Sequence, residues 1–166
     1  MALVLNEEQV MLRDAAAGFL AEKATVAHLR ELRDTNNEQG FSRAVWAEIA
    51  QMGWAGIAIP EEFGGLGYGY TGLGLVLEQA GRNLSASPLQ STVLVSATLI
   101  SELGSKEQKE QLLPAIAAGE KLLSLALQEA GHHAPLQTAA SAQREGEDYV
   151  INGTKVLVLD ASSADT

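Results

Sequence analysis

Apolar residues at Met11, Leu12, Ala15, Ala16, Phe19 and Leu20 recur at one-and-four spacing, while Arg13, Asp14, Glu22 and Lys23 fall outside that stripe. This period predicts a helix with one buried face. Asn6-Glu7-Glu8-Gln9 reads as a capping box that starts it, the Asn6 side chain accepting an early backbone N–H and Gln9 reaching back. The polar stretch from Arg30 to Gly40 breaks the stripe and reads as a loop. Ser42 then caps a second helix whose Val45, Trp46, Ile49 and Ala50 face inward, and Gly53 supplies a left-handed stop.

An apolar run from Trp54 to Ile59 leads into Pro60-Glu61-Glu62-Phe63-Gly64-Gly65-Leu66-Gly67. Beyond it, Leu73, Leu75, Val76, Leu77 and Ala80 predict a third helix closing near Gly81-Arg82-Asn83. Ser87-Pro88 opens a fourth, because proline is tolerated in a first turn, and Val93 to Leu103 is apolar enough on all sides to be largely enclosed. Ser105 with Gln108 forms another capping box for a fifth helix, bent or ended at Pro114 and stopping at Gly119.

After Lys121 the period shortens. Leu122, Leu123, Leu125 and Leu127 form a short bounded run, Thr138 to Gln143 alternates, and Tyr149-Val150-Ile151 meets Val156-Leu157-Val158-Leu159 across Asn152-Gly153, a strong two-residue hairpin signal. The expected fold class is α+β: an all-helical unit of about five helices over 1–120, then the first antiparallel strands of an incomplete β-barrel over 121–166.

Composition narrows the function. The chain is 46% hydrophobic and 19% charged, enough for a sizeable core. A net charge of −10, with 11 Lys and Arg thinly spread, argues against nucleic acid and anionic membrane surfaces. With no cysteine, disulfides, thiolate metal sites and thiol nucleophiles are excluded. The first residues lack a charged region followed by a long apolar core, and no apolar run approaches membrane-spanning length, so a cytoplasmic protein is the default expectation.

Gly67-Tyr68-Gly69-Tyr70-Thr71-Gly72 spells G-x-G-x-x-G, yet Pro60 to Phe63 intervene after the apolar run and no second parallel strand completes a βαβ unit. The expected role is structural: a sharp turn letting Tyr68 or Tyr70 pack close to a helix. His132-His133 has no other histidine nearby in sequence, and a solvated loop is the better reading than a metal site. Glu61-Glu62 and Glu145-Gly146-Glu147-Asp148 lack an apolar surround that would shift a pKa and read as turn and surface residues.

Three segments, taken together, resemble the amino-terminal part of the acyl-CoA dehydrogenases. They are Trp46 to Gly81 with its Pro60-Glu61-Glu62-Phe63-Gly64-Gly65-Leu66-Gly67 turn, Leu103 to Gly119, and Asp148-Tyr149-Val150-Ile151-Asn152-Gly153-Thr154-Lys155. The resemblance implies an FAD-dependent oxidoreductase acting on the α,β bond of an acyl-CoA thioester, with an electron-transfer partner and homo- or hetero-oligomeric assembly among similar subunits. It implies that Ser91, Val95 and Leu125 flank the acyl chain, and that Leu127, Gln128, Ala134, Leu157 and Leu159 occupy flavin-contacting positions. The catalytic carboxylate of the family lies in a carboxy-terminal helical bundle that these residues do not include, so this segment alone is expected to be inactive.

Some positions depart from the family pattern. Gln128-Glu129-Ala130 stands where Thr-Glu-Pro is usual, His133-Ala134-Pro135 where Gly-Ser-Asp is usual, and Leu157 and Leu159 align with the aromatic and the threonine of a Trp-Ile-Thr strand. Each change removes a donor or a stacking ring, and a lost donor to a buried or charged acceptor costs roughly 1–3 kcal/mol. The resemblance therefore carries a second implication, a flavin-deficient subunit bracing an active homologue, as among steroid-degrading members.

Overall fold

A computed structural model describes residues 4–132, 134 and 137–165. Among these residues six α-helices precede a two-stranded sheet: α1 Glu7–Lys23, α2 Val26–Asp34, α3 Arg43–Gln51, α4 Gly69–Asn83, α5 Ala97–Leu103 and α6 Lys106–Ala117, then β1 Ser141–Glu145 and β2 Asp148–Asn152. An eight-residue π-helical stretch, Leu89–Ser96, runs directly into α5. The α+β class expected from the sequence is the class observed.

The helix starts follow their caps. Asn6 Oδ1 accepts from Gln9 N at 2.8 Å while Asn6 N donates to Gln9 Oε1 at 3.1 Å, and Ser105 with Gln108 repeats that reciprocal box at α6. Ser42 caps α3 through Val45 N, as expected. The buried stripe of α1 is narrower than the spacing implied: Ala16 and Leu20 are enclosed, whereas Met11 is 70% exposed and Ala15 lies outside. The polar stretch expected to be a loop from Arg30 is helical through Asp34. Thr25 Oγ1 accepts from His28 N and caps the start of this helix, and Leu32 is buried near its end.

The core forms where α1 packs against α4, with Trp46, Ile49, Trp54 and Val93 closing around Leu20, Leu73 and Val76. Phe19 meets Trp54 edge to face, ring centroids 5.6 Å apart. A second cluster joins Ile59, Ala97, Leu113, Ile116 and Leu123, so the first residues after the helices share the helical core. The Trp54–Ile59 run is not a strand: Trp54–Gly56 is a 3-10 turn, and the segment up to Gly67 is folded on itself by Leu66 N to Gly56 O and Gly67 N to Ile59 O, each 2.9 Å. In the glycine-rich turn Tyr68 packs as expected, since a Cβ on Gly72 would lie 2.3 Å from its ring, whereas Tyr70 is exposed.

Enclosure of the fourth predicted helix ends near Ala97, because Leu99 and Leu103 are exposed. Pro114 neither ends nor breaks α6: it sits exposed inside the helix, which runs on to Ala117, and Gly119 then turns the chain with φ +74°.

The sheet differs most from expectation. Strand β1 pairs antiparallel with β2 in the register Ser141↔Asn152 to Glu145↔Asp148, so the hairpin turns at Gly146-Glu147, not at Asn152-Gly153. Gly146 has φ +68° while Glu147 does not turn positive, which fits the primed turn with glycine at its first central position. Asn152 and Gly153 keep ordinary φ, and Val156 to Leu159 forms no strand, with Leu157 at φ +53°. Nor is Leu122–Leu127 a regular strand; Leu122 and Leu123 are buried and Leu125 and Leu127 exposed, which is not the strict alternation a sheet face needs.

Candidate functional site

Residues 122–129 leave the helices as an extended segment, fixed at its start by a buried threonine on the π-helical stretch. Thr92 Oγ1 donates to Leu123 O at 3.0 Å and accepts from Leu123 N at 3.1 Å, so one hydroxyl satisfies both backbone groups. The closing residues fold back beside this segment. Asp165 N donates to Leu122 O and Asp165 Oδ2 accepts from Leu122 N, both at 2.8 Å; Ser124 Oγ donates to Leu159 O; Val156 N donates to Gln128 O at 2.8 Å. Because these partners run in opposite chain directions, residues 156–165 lie antiparallel to 122–128 without forming a regular ladder.

This arrangement brings together most of the predicted site residues. Leu125, Leu127, Leu157 and Leu159 are 40%, 41%, 77% and 49% exposed, four uncovered aliphatic side chains on these two antiparallel stretches. Gln128 is half-buried, with Oε1 accepting from Ala134 N at 3.4 Å, which joins two more predicted flavin positions. His133 and Pro135 lie outside the described residues.

The residues expected to flank an acyl chain are less uniform. Val95 is half-buried on the π-helical stretch, but Ser91 is enclosed, and its hydroxyl donates to Asp160 Oδ2 at 2.5 Å with Pro88 O a second acceptor at 3.4 Å. Ser96 Oγ donates to Ser91 O at 2.8 Å, satisfying a carbonyl within the widened turns. A groove of about 370 Å³ opens between α4 and this stretch, lined by Leu77, Ala80, Leu84, Leu89, Gln90 and Leu94; Ser91, Val95 and Leu125 do not line it.

Sequence reasoning assigned no role to the charged cluster beside Leu127. Glu129 accepts from Ala139 N at 2.5 Å, from Ala140 N at 3.1 Å and from Lys155 Nζ at 2.6 Å, and Lys155 also donates to Leu127 O at 3.3 Å. The Lys155 ammonium, followed by the two backbone N–H groups, holds the Glu129 carboxyl down at about 2. Glu129 and Lys155 each stand inside a quoted motif, and no spacing rule pairs them across the intervening residues. Asp160 was likewise missed, since nothing in its local sequence points to Ser91.

Among the described residues no cluster of histidine and carboxylate side chains has metal-ligating geometry, and His132 is exposed. Among the described residues, no helix is long and apolar enough to cross a membrane.

The chain is similar in sequence and in fold to known proteins. The family model described as "Acyl-CoA dehydrogenase, N-terminal domain" matches residues 6–120. Acyl-CoA dehydrogenase FadE12 of Mycobacterium tuberculosis is 32% identical over 166 residues, covering 98% of this chain and 42% of that protein. Among solved structures, a variant of the Tcur3481-Tcur3483 steroid ACAD superposes with a TM-score of 0.82 at 33% identity over 95% of this chain and 43% of that one. The ChsE4-ChsE5 complex from Mycobacterium tuberculosis gives 0.80 at 26% identity over 93% and 41%. The chain thus spans about two-fifths of the length of these relatives. With the family model matched over residues 6–120, more than half of its length, this chain belongs to the acyl-CoA dehydrogenase family and carries the amino-terminal portion of it.

Proposed function

We propose that this chain is the amino-terminal portion of an FAD-dependent acyl-CoA dehydrogenase, residues 1–120 forming its helical domain and 121–166 the opening of its β-domain. The observation that carries this reading is the set of four uncovered leucines, Leu125, Leu127, Leu157 and Leu159, on two antiparallel stretches of which the first is tied to the helical core by the Thr92–Leu123 pair. Its chemistry fits one face of a flavin ring: apolar area for a flat aromatic system, beside the polar carboxamide of Gln128 and the backbone of Ala134. When bound, FAD supplies the acceptor for the hydride removed from the acyl β-carbon.

In this reading Leu127, Gln128, Ala134, Leu157 and Leu159 hold the flavin, and Val95 and Leu125 exclude water from the acyl chain of a thioester substrate. Ser91 acts differently from a lining residue. Its hydroxyl is committed to Asp160 and so ties the acyl-side helix to the flavin-side return. The base that takes the α-proton comes from outside these residues, electrons leave to a separate electron-transfer partner, and the protein works in the cytoplasm as an oligomer of related subunits.

A second reading is favoured by the same leucines. Leu157 and Leu159 offer no donor to a flavin edge, and a face this apolar also suits a subunit that braces an active homologue without binding FAD itself. The visible spectrum of the purified complete translation product that contains this chain separates the two. A yellow protein with one flavin per chain supports the enzyme; a colourless protein that gains flavin only with a homologous partner chain supports the brace and overturns the first reading.

A further inference from the structure

The charged cluster beside the leucines has its own geometry. The Glu129 carboxylate receives N–H donors from Ala139 and Ala140, immediately before β1, and the ammonium of Lys155, three residues beyond β2. Lys155 returns a bond to Leu127 O, and the adjoining Val156 N binds Gln128 O at 2.8 Å. Three stretches distant in sequence therefore meet on one carboxylate. An exposed ion pair would do little, because solvent and salt screen it. Here the side chains of Glu129 and Lys155 are only 13% and 27% exposed, and the carboxylate also takes backbone donors that no rotamer change of Lys155 can replace.

We propose that Glu129, acting with Lys155, is a positioning residue for the flavin-facing wall. The pair holds the backbone of 127–129, 139–140 and 155–156 in one mutual arrangement, so that Leu127, Gln128 and Leu157 present a single preformed surface. Nothing in the pair touches the reacting atoms. Its effect is preorganisation: a wall already assembled before the ring arrives costs less ordering when it binds. The exposed hairpin makes this requirement sharper, since every residue of β1 and β2 is exposed and neither strand is anchored by burial. The inference rests on the flavin reading given above.

The test compares wild type with Glu129→Gln, Lys155→Met and Lys155→Arg. Amide hydrogen exchange on this chain comes first. Glu129→Gln and Lys155→Met are expected to speed exchange at Ala139, Ala140 and Val156 by about tenfold or more while leaving α1, α4 and α6 unchanged, because only the local opening is affected. Lys155→Arg, which keeps the charge and can still bridge a carboxylate and a carbonyl, is expected to restore most of the protection. The second readout is FAD affinity of the complete translation product, followed by flavin fluorescence, with Kd weakened about tenfold or more by Glu129→Gln and by Lys155→Met but within about threefold of wild type for Lys155→Arg. Unchanged exchange at the three amides overturns the proposal. So does flavin bound equally by all four proteins despite loosened amides, which would make the pair structural only. Flavin bound by none of them strikes the cofactor reading itself, and this inference with it.

Discussion

Thr92→Val removes a hydroxyl and keeps the shape of a fully enclosed side chain, which makes it the cleanest perturbation of the joint between the helical unit and the extended segment. The lost oxygen leaves both Leu123 N and Leu123 O without the partner seen at 3.1 and 3.0 Å. Leaving a buried polar group unpaired costs about 1–3 kcal/mol, so two groups set an upper range of about 2–6 kcal/mol. The chain has an escape: it can peel the segment away, exposing Leu122 and Leu123, which forfeits about 1.5–3 kcal/mol for each side chain. The smaller of the two costs governs, and the expected loss is about 2–6 kcal/mol against a total stability of about 5–15 kcal/mol. Thr92→Ser keeps both bonds and deletes one methyl group, for about 1 kcal/mol. Urea unfolding followed by circular dichroism measures the difference, and at a slope of about 2 kcal/mol per molar the valine variant shifts the midpoint by about 1–3 M. Exchange of the Leu123 amide identifies the route, since peeling would unprotect it before the helices open. A valine variant as stable as the serine variant would mean that the Thr92 hydroxyl does not hold Leu123 in place.

Three further outcomes follow from the same geometry. Gly65→Ala would put a Cβ 2.1 Å from Ile59 O, a backbone atom that cannot swing aside, and is expected to lower the melting temperature through a loss of about 1–3 kcal/mol or more, as for other overpacked sites; an unchanged melting curve would contradict it. Asn6→Ala removes the α1 cap and should cost about 1 kcal/mol in urea unfolding, with Asn6→Asp nearly neutral because aspartate caps equally well. Acid should act through Glu129. Its folded pKa of about 2 lies below the ordinary 4.5, so the contribution of the ionised carboxylate is complete above pH 4.5 and is lost as pH falls through about 2. Amide exchange at Ala139 and Ala140, corrected for intrinsic rates, should therefore accelerate across that window in wild type and show no such step in Glu129→Gln.

What the sequence disclosed tracks how local each signal is. The capping boxes at Asn6 and Ser105 are four-residue signals and were legible without any tertiary knowledge. The end of α2, Arg30 to Asp34, reads as loop because its surface is polar on most sides and a single buried leucine, Leu32, holds it. The hairpin error has a comparable origin. Asn152-Gly153 carries the stronger intrinsic turn preference, yet Gly146-Glu147 closes the hairpin, and the stretch after Asn152 is drawn away to Gln128 through Val156. At the site, the leucines and Gln128 were reached only through family resemblance. The contacts that assemble them, Thr92 with Leu123, Ser91 with Asp160 and Glu129 with Lys155, join residues far apart in the chain, and no period or motif in one sequence encodes such pairs.

Reduction of bound flavin by substrate tests the account at its centre. Acyl-CoA thioesters of graded chain length, added without oxygen to the complete translation product that contains this chain, should bleach the yellow flavin band, and the extent should depend on the acyl group. A protein that carries flavin in full amount yet keeps its spectrum unchanged with every thioester would contradict the assignment of these helices and leucines to an acyl-CoA dehydrogenase site.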